Sequence, residues 1–208
     1  MSKKIRIFPN EMIYYIIDSN FFANKYLKPI ESSNLLDRDR IINSLLWWEV
    51  IDEQVRRKLA ILYINDLCIS ETFKVIAKKY YREKLLTSNR YQKIRNNITK
   101  DIHLETKEII SKYRNIKYHN LLIDRDIIIG ASRYLEIANR HKLETMSIVD
   151  LIILSSAKHL VDFFKIKKEQ IFILTGDRKI IDCSRFSKDG TVVIDPLNPK
   201  NTTEKYFY

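Results

Sequence analysis

Apolar residues recur along this chain in two rhythms. Residues 12–17 form a dense run of Ile and Tyr that stops at Asp18. The run is too short and too rich in β-formers for a helix, and predicts a buried strand. Ile171–Leu174 is a second such run and ends in Thr175-Gly176-Asp177. Leu67-Cys68-Ile69, Leu121-Leu122-Ile123 and Thr191–Ile194 read as shorter strands. The last is entered through a Lys188-Asp189-Gly190 turn and closed by Pro196.

Between these runs the spacing lengthens to three and four residues. Asp18-Ser19-Asn20 can cap a short helix to about Leu27, ended by Pro29. Ile41, Leu45, Trp48, Ile51, Val55, Leu59 and Leu62 share one face of a long helix starting at Asp37, with Arg56, Arg57 and Lys58 facing elsewhere. Ser70 is expected to cap a helix carrying Phe73, Val75, Ile76, Ala77 and Tyr80, and another helix is expected from Asn89 to Tyr113. Asp124 caps a helix to about His141, and an apolar helix begins at Ser147 with Asp150 near its start. Strands that alternate with helices predict an α/β fold. The expectation is a three-layer α/β/α sandwich around a mostly parallel sheet of four or five strands, in a single domain spanning all 208 residues.

Composition narrows the partners more than the fold. Hydrophobic residues make up 45% of the chain and charged residues 30%, as in a globular protein. The formal net charge of +11 favours a polyanion, with nucleic acid ahead of an anionic membrane surface. A genome biased towards Lys, Ile and Asn would also produce it. Between Lys74 and Lys100 there are nine Lys or Arg and one acid, Glu83. Lys74, Lys78, Lys79, Arg82, Arg90 and Lys93 are therefore the expected nucleic-acid contacts, with Tyr80, Tyr81 and Tyr91 interleaved among them; a solvated helical face is the alternative. The Trp47-Trp48 pair suits a core or interface better than a platform for bases. Cys68 and Cys183 lack ligand spacing and read as reduced thiols. With no secretory signal expected and no stretch near the roughly 20 apolar residues of a spanning helix, the expected location is cytoplasmic, with no membrane partner.

The strand ends carry the candidate chemistry. Asp18 and Asp177 each follow an apolar strand, and Asp150 sits near a helix start. In a parallel sheet such positions gather at the carboxyl edge, where ligands bind. Hard divalent cations such as Mg²⁺ or Mn²⁺ take oxygen ligands, often one or a few carboxylates and a substrate phosphate. Such an ion can activate water and stabilise charge on a phosphate during displacement. Taken one at a time, aspartates at strand ends serve as caps or turn residues.

The order of these features resembles a known family. Residues 13–20, IYYIIDSN, are similar to the first strand and Asp-x-Asn signature of PIN domains. Residues 131–143, then Asp150 with Ala157 seven residues on, then Leu174-Thr-Gly-Asp177, resemble the C-terminal half of that family, and Thr191–Pro196 its last strand. The resemblance implies a metal-dependent endoribonuclease, with relatives that include VapC-type toxins of toxin–antitoxin pairs and RNA-processing nucleases. It implies Asp18, Asp150 and Asp177 as metal-binding acids, Asn20 and Thr175 as supporting polar residues, and Mg²⁺ or Mn²⁺ as cofactor. RNA, an antitoxin and a second copy of the chain are the implied partners. The family's fourth acid lies about two turns into the helix after the second strand. With that strand at residues 67–69 the position falls near Val75 or Ile76, so Glu71 is the nearest catalytic substitute. The segment 84–120 is longer than in a minimal toxin and reads as a basic helical insertion. A catalytically degenerate PIN-like binding module is the alternative. Arg114 and His119 also fit the Arg-Asn-x-x-x-His signature of the metal-independent, all-helical HEPN ribonucleases.

Overall fold

The computed structural model describes residues 12–102, 118–187 and 192–196. Five strands form one sheet in the order β3-β2-β1-β4-β5, and every neighbouring pair is parallel. The strands are β1 (Ile13–Ile17), β2 (Ala60–Ile64), β3 (Tyr118–Asn120), β4 (Ile171–Leu174) and β5 (Val192–Ile194). The helices among the described residues are α1 (Ser19–Asn24), α2 (Leu35–Arg56), α3 (Asp66–Tyr81), α4 (Ser88–Ile102), α5 (Arg125–Arg140), α6 (Ile148–Asp162) and α7 (Arg178–Phe186).

The chain steps from β1 outward to β2 and β3, then returns to the other side of β1 for β4 and β5. Right-handed crossovers in opposite directions place their helices on opposite faces. Helices α1 to α4 pack among themselves, as do α5 to α7, and the sheet lies between the two groups. The expected three-layer α/β architecture is what the chain forms. Strand β1 is central, and its Tyr15, Ile16 and Ile17 are buried together with Phe172, Ile173 and Leu174 of β4. Trp47 and Trp48 belong to the core; the Trp48 indole donates to the Phe21 carbonyl (3.1 Å). Gly130 lets α5 lie close on α6, since a Cβ there would collide with Ser155 Oγ.

Several boundaries differ from the sequence expectation. Helix α2 is capped by Asn34, not begun at Asp37, and stops at Arg56. Lys58 takes a left-handed conformation (φ 61°) just past its end, which terminates the helix. Leu59 and Leu62 continue the helical spacing by coincidence: Leu59 only links the two elements, and Leu62 is one of the alternate buried residues of β2 with Ala60 and Ile64. The second strand is therefore Ala60–Ile64, not residues 67–69. Leu67-Cys68-Ile69 forms the first turn of α3, where the Asn65 side chain accepts from Cys68 N (2.8 Å) and Ser70 caps nothing. Strand β3 lies at residues 118–120, ahead of the apolar triplet expected to form it. Pro29 opens a 3₁₀ turn, Pro29–Glu31.

Asp124 caps α5 and Ser147 caps α6, as expected. Residues 103–117 of the expected insertion, with His103 and Arg114, and the Lys188–Gly190 turn lie outside the described residues. The parallel sheet is incompatible with the all-helical HEPN fold, and His119 stands on β3. No helix among the described residues is long and apolar enough to cross a membrane.

Candidate functional site

Strand order reverses between β1 and β4, and at such a switch point diverging crossovers open a crevice at the carboxyl edge. Asp18 follows β1 directly, and its backbone N–H donates to Leu174 at the end of β4 (3.2 Å). Its side chain is only 3% exposed. Oδ2 accepts from Thr175 Oγ1 (3.1 Å), and Oδ1 accepts from Ser19 Oγ (3.1 Å). Burial pushes the Asp18 carboxyl up to about 7, against the lowering effect of the Thr175 and Ser19 hydroxyls and with added repulsion from Asp150 and Asp177.

Thr175 ties two acids together. Its buried hydroxyl donates to Asp18 and accepts from the backbone N–H of Asp177 (2.9 Å). Asp177 caps α7, with Oδ1 accepting from Lys179 N (2.8 Å). Asp150 is the third residue of a capping box: its Oδ2 accepts from Ser147 N (2.8 Å), while Ser147 Oγ accepts from Asp150 N (3.2 Å). Burial raises the Asp150 carboxyl, the Ser147 hydrogen bonds oppose the shift, and Asp177 adds to it.

Glu71 reaches the same cluster. Its Oε2 accepts from Ser19 Oγ (3.1 Å), so one hydroxyl stands between Asp18 and Glu71. Because α3 begins at Asp66, Glu71 is in its second turn. The second strand, once placed correctly, puts this acid about where the PIN resemblance implied one. Thr72 Oγ1, within 3.3 Å of the Ser19 carbonyl, helps dock α3 on α1. Behind the cluster, burial pushes the Cys68 thiol up, and the charges of Asp18, Glu71 and Asp150 push it further. Asn20 is exposed at the start of α1. Ser19 escaped the sequence reasoning; its place beside a strand-end aspartate was the available signal.

Among the described residues, no three His, Cys, Asp or Glu side chains stand close enough to form a ready-made metal cage. The donor chemistry still suits a hard cation. Mutually repelling, partly desolvated carboxylates are hard oxygen ligands, and Mg²⁺ commonly binds through one or two carboxylates while keeping several waters. Asp18, Asp150 and Asp177 fit that mode and not a closed cage.

The basic residues divide into two groups. Lys79, expected on the nucleic-acid surface, is buried; its ammonium pairs with Asp37 (2.7 Å) and approaches Glu83 (3.8 Å). Arg90 is also engaged internally, through Nε to Glu31 (2.5 Å) and Nη2 to the Tyr26 carbonyl (2.6 Å). Both are clamps between elements, a correction to their expected role. Lys74, Lys78, Arg82 and Lys93 are exposed. Tyr80 and Tyr91 stack on each other (4.5 Å, 9°), joining α3 to α4 rather than offering free faces, and Tyr81 packs edge-on against both. A cleft of about 280 Å³ opens beside Asp177, walled by Asn20 and Asn24 of α1, Arg40 of α2 and Arg178 of α7.

No known protein family matches the sequence, and no curated protein matches it. A solved structure does resemble the fold: a chain of VapBC2 from Rickettsia felis, crystallised bound to a DNA fragment from its promoter. It superposes with a TM-score of 0.50 at 10% identity, covering 88% of this chain and 98% of the other.

Proposed function

We propose that the protein is a divalent-metal-dependent endoribonuclease of the PIN type. The observation that carries this is the chain of hydroxyl bridges at the switch point, Glu71–Ser19–Asp18–Thr175, continued to Asp177 through its backbone N–H. Three carboxylates from separate elements, Asp18, Asp150 and Asp177, repel one another there, and Glu71 joins them through the Ser19 hydroxyl. Such an assembly destabilises the fold unless it serves a ligand. Bound Mg²⁺ or Mn²⁺ would supply an activated water and neutralise charge on the phosphate. Asp18, Asp150 and Asp177 would hold the ion. Ser19 and Thr175 keep the Asp18 oxygens oriented, and Glu71 adds negative charge from the α3 side. In the metal-free site Asp18, with its pKa near 7, can hold a proton at neutral pH that an incoming cation would displace. The strongly basic chain supports RNA as the substrate.

The decisive test is cleavage of mixed RNA under a divalent-metal titration, for wild type and Asp150→Asn. Activity should require metal and fall by at least two orders of magnitude in the variant. Full cleavage in EDTA, or unchanged rates in the Asn variants of Asp18, Asp150 and Asp177, would overturn the assignment.

One observation favours a second reading. Asp150 and Asp177 each commit an oxygen to a helix cap, and no closed ligand cage forms among the described residues. A PIN-like module that binds RNA or protein without cutting would keep these caps for stability alone. An antitoxin is the proposed protein partner, supported by the fold likeness to VapBC2.

A further inference from the structure

Arg40 and Arg178 are exposed on the wall of the cleft beside Asp177, and neither has an ion-pair partner among the described residues. They come from α2 and α7, elements on opposite faces of the sheet, so only the folded molecule brings them to one opening. Lys79 also lines the cleft, but its ammonium is taken up by Asp37 and by the Glu31 carbonyl (3.4 Å). The cleft therefore combines one neutralised ion pair, two unpaired guanidinium groups and one edge of the acidic cluster. Guanidinium groups bind phosphate through paired N–H donors.

The rest of the wall is suited to a base. Asn24 donates through Nδ2 to Ser44 Oγ (3.1 Å), which orients its amide. Asn20 adds a second amide at the rim. Amides of this kind read the hydrogen-bonding edges of bases, which are open only where the base is unpaired. The volume, about 280 Å³, is on the scale of one nucleotide and not of a duplex.

We propose that this cleft is a subsite for one unpaired nucleotide of a single strand, with Arg40 and Arg178 holding its phosphate and Asn20 and Asn24 facing its base. The proposal rests on the nuclease assignment for its substrate class. It differs in placing the nearest phosphate contacts at α2 and α7, away from the basic stretch of α3 and α4. A phosphate drawn to Arg178 is brought next to Asp177, against the repulsion of the carboxylates.

The test is binding of a fluorescent ten-nucleotide single-stranded RNA, and of the same sequence as a blunt duplex, to the full chain in EDTA at several salt concentrations. Arg40→Ala with Arg178→Ala should weaken single-strand binding at least tenfold. It should also lower the log–log salt slope by about 0.7 if one phosphate is held, or about 1.4 if two are. Arg40→Lys with Arg178→Lys keeps the charge and should restore the slope but only part of the affinity. Asn24→Leu should weaken single-strand binding with the slope unchanged. Arg56→Ala with Arg57→Ala, whose side chains pair with Glu53, should match wild type. Thermal melting of each variant checks the fold. Wild-type affinity and slope in the double Ala variant would overturn the proposal, as would an equal loss for duplex and single strand. Binding in EDTA is read separately from cleavage. Metal-dependent cleavage without this arginine dependence would refute the cleft alone, and arginine-dependent binding without any cleavage would refute the nuclease assignment alone.

Discussion

Ser19 has one hydroxyl proton and two carboxylate neighbours, Asp18 and Glu71. It cannot donate fully to both, so the arrangement is comfortable only when one carboxyl is protonated or a cation shares the charge. Burial pushes the Asp18 carboxyl up to about 7 from an ordinary value of 3.8. Between those pH values the folded state holds a proton that the unfolded chain has lost. The metal-free protein should therefore lose stability as pH rises from about 4 to above 7, by about 4 kcal/mol from this group. Asp18→Asn removes the titration. Chemical denaturation without metal should find the variant more stable than wild type at pH 8 and equal to it near pH 4. Parallel pH profiles for the two proteins would show that Asp18 ionises normally.

At the scale of elements, the partly buried ion pairs of Lys79 and Arg90 decide what the basic stretch is for. Lys79 holds the end of α3 to the start of α2, and Arg90 holds α4 to the 3₁₀ turn at Glu31. Removing one partner of such a pair leaves a partly buried charge uncompensated, at a cost approaching the roughly 3–5 kcal/mol of a fully buried pair. Lys79→Met is thus expected to lower the melting temperature sharply, whereas reversing Lys74, Arg82 and Lys93 to Glu should leave melting nearly unchanged. If the exposed faces of α3 and α4 also attract RNA, the triple reversal alone should weaken binding and flatten its salt dependence. A stable Lys79→Met protein with weakened RNA binding would return Lys79 to the contact surface.

For the whole molecule, folding gathers negative charge at one edge of a strongly positive chain. A cation that binds only the folded state stabilises it by mass action, about 2.7 kcal/mol at a hundred times its dissociation constant. Saturating Mg²⁺ should raise the melting temperature at pH 8, and the rise should vanish when Asp18 and Asp177 are both changed to Asn. An identical Mg²⁺ response in that double variant would place the ion elsewhere.

Local pattern alone pointed to the α/β class, because dense, β-rich apolar runs at Ile13–Ile17 and Ile171–Leu174, alternating with helical spacing, are what central parallel strands look like. It also marked Asp18, which directly follows such a run, and Asp177, which comes three residues after the other. Boundaries set by competition were not legible. The α2 helix and β2 share a compatible apolar phase across Lys58, and only its left-handed backbone and the pairing of β2 with β1 separate them. That shift of the second strand brought Glu71 into register with Asp18. Tertiary structure alone decided that Lys79 and Arg90 turn inward while Arg40 and Arg178 have no ion-pair partner among the described residues, because a charge finds its partner through space and sequence spacing records nothing of that distance.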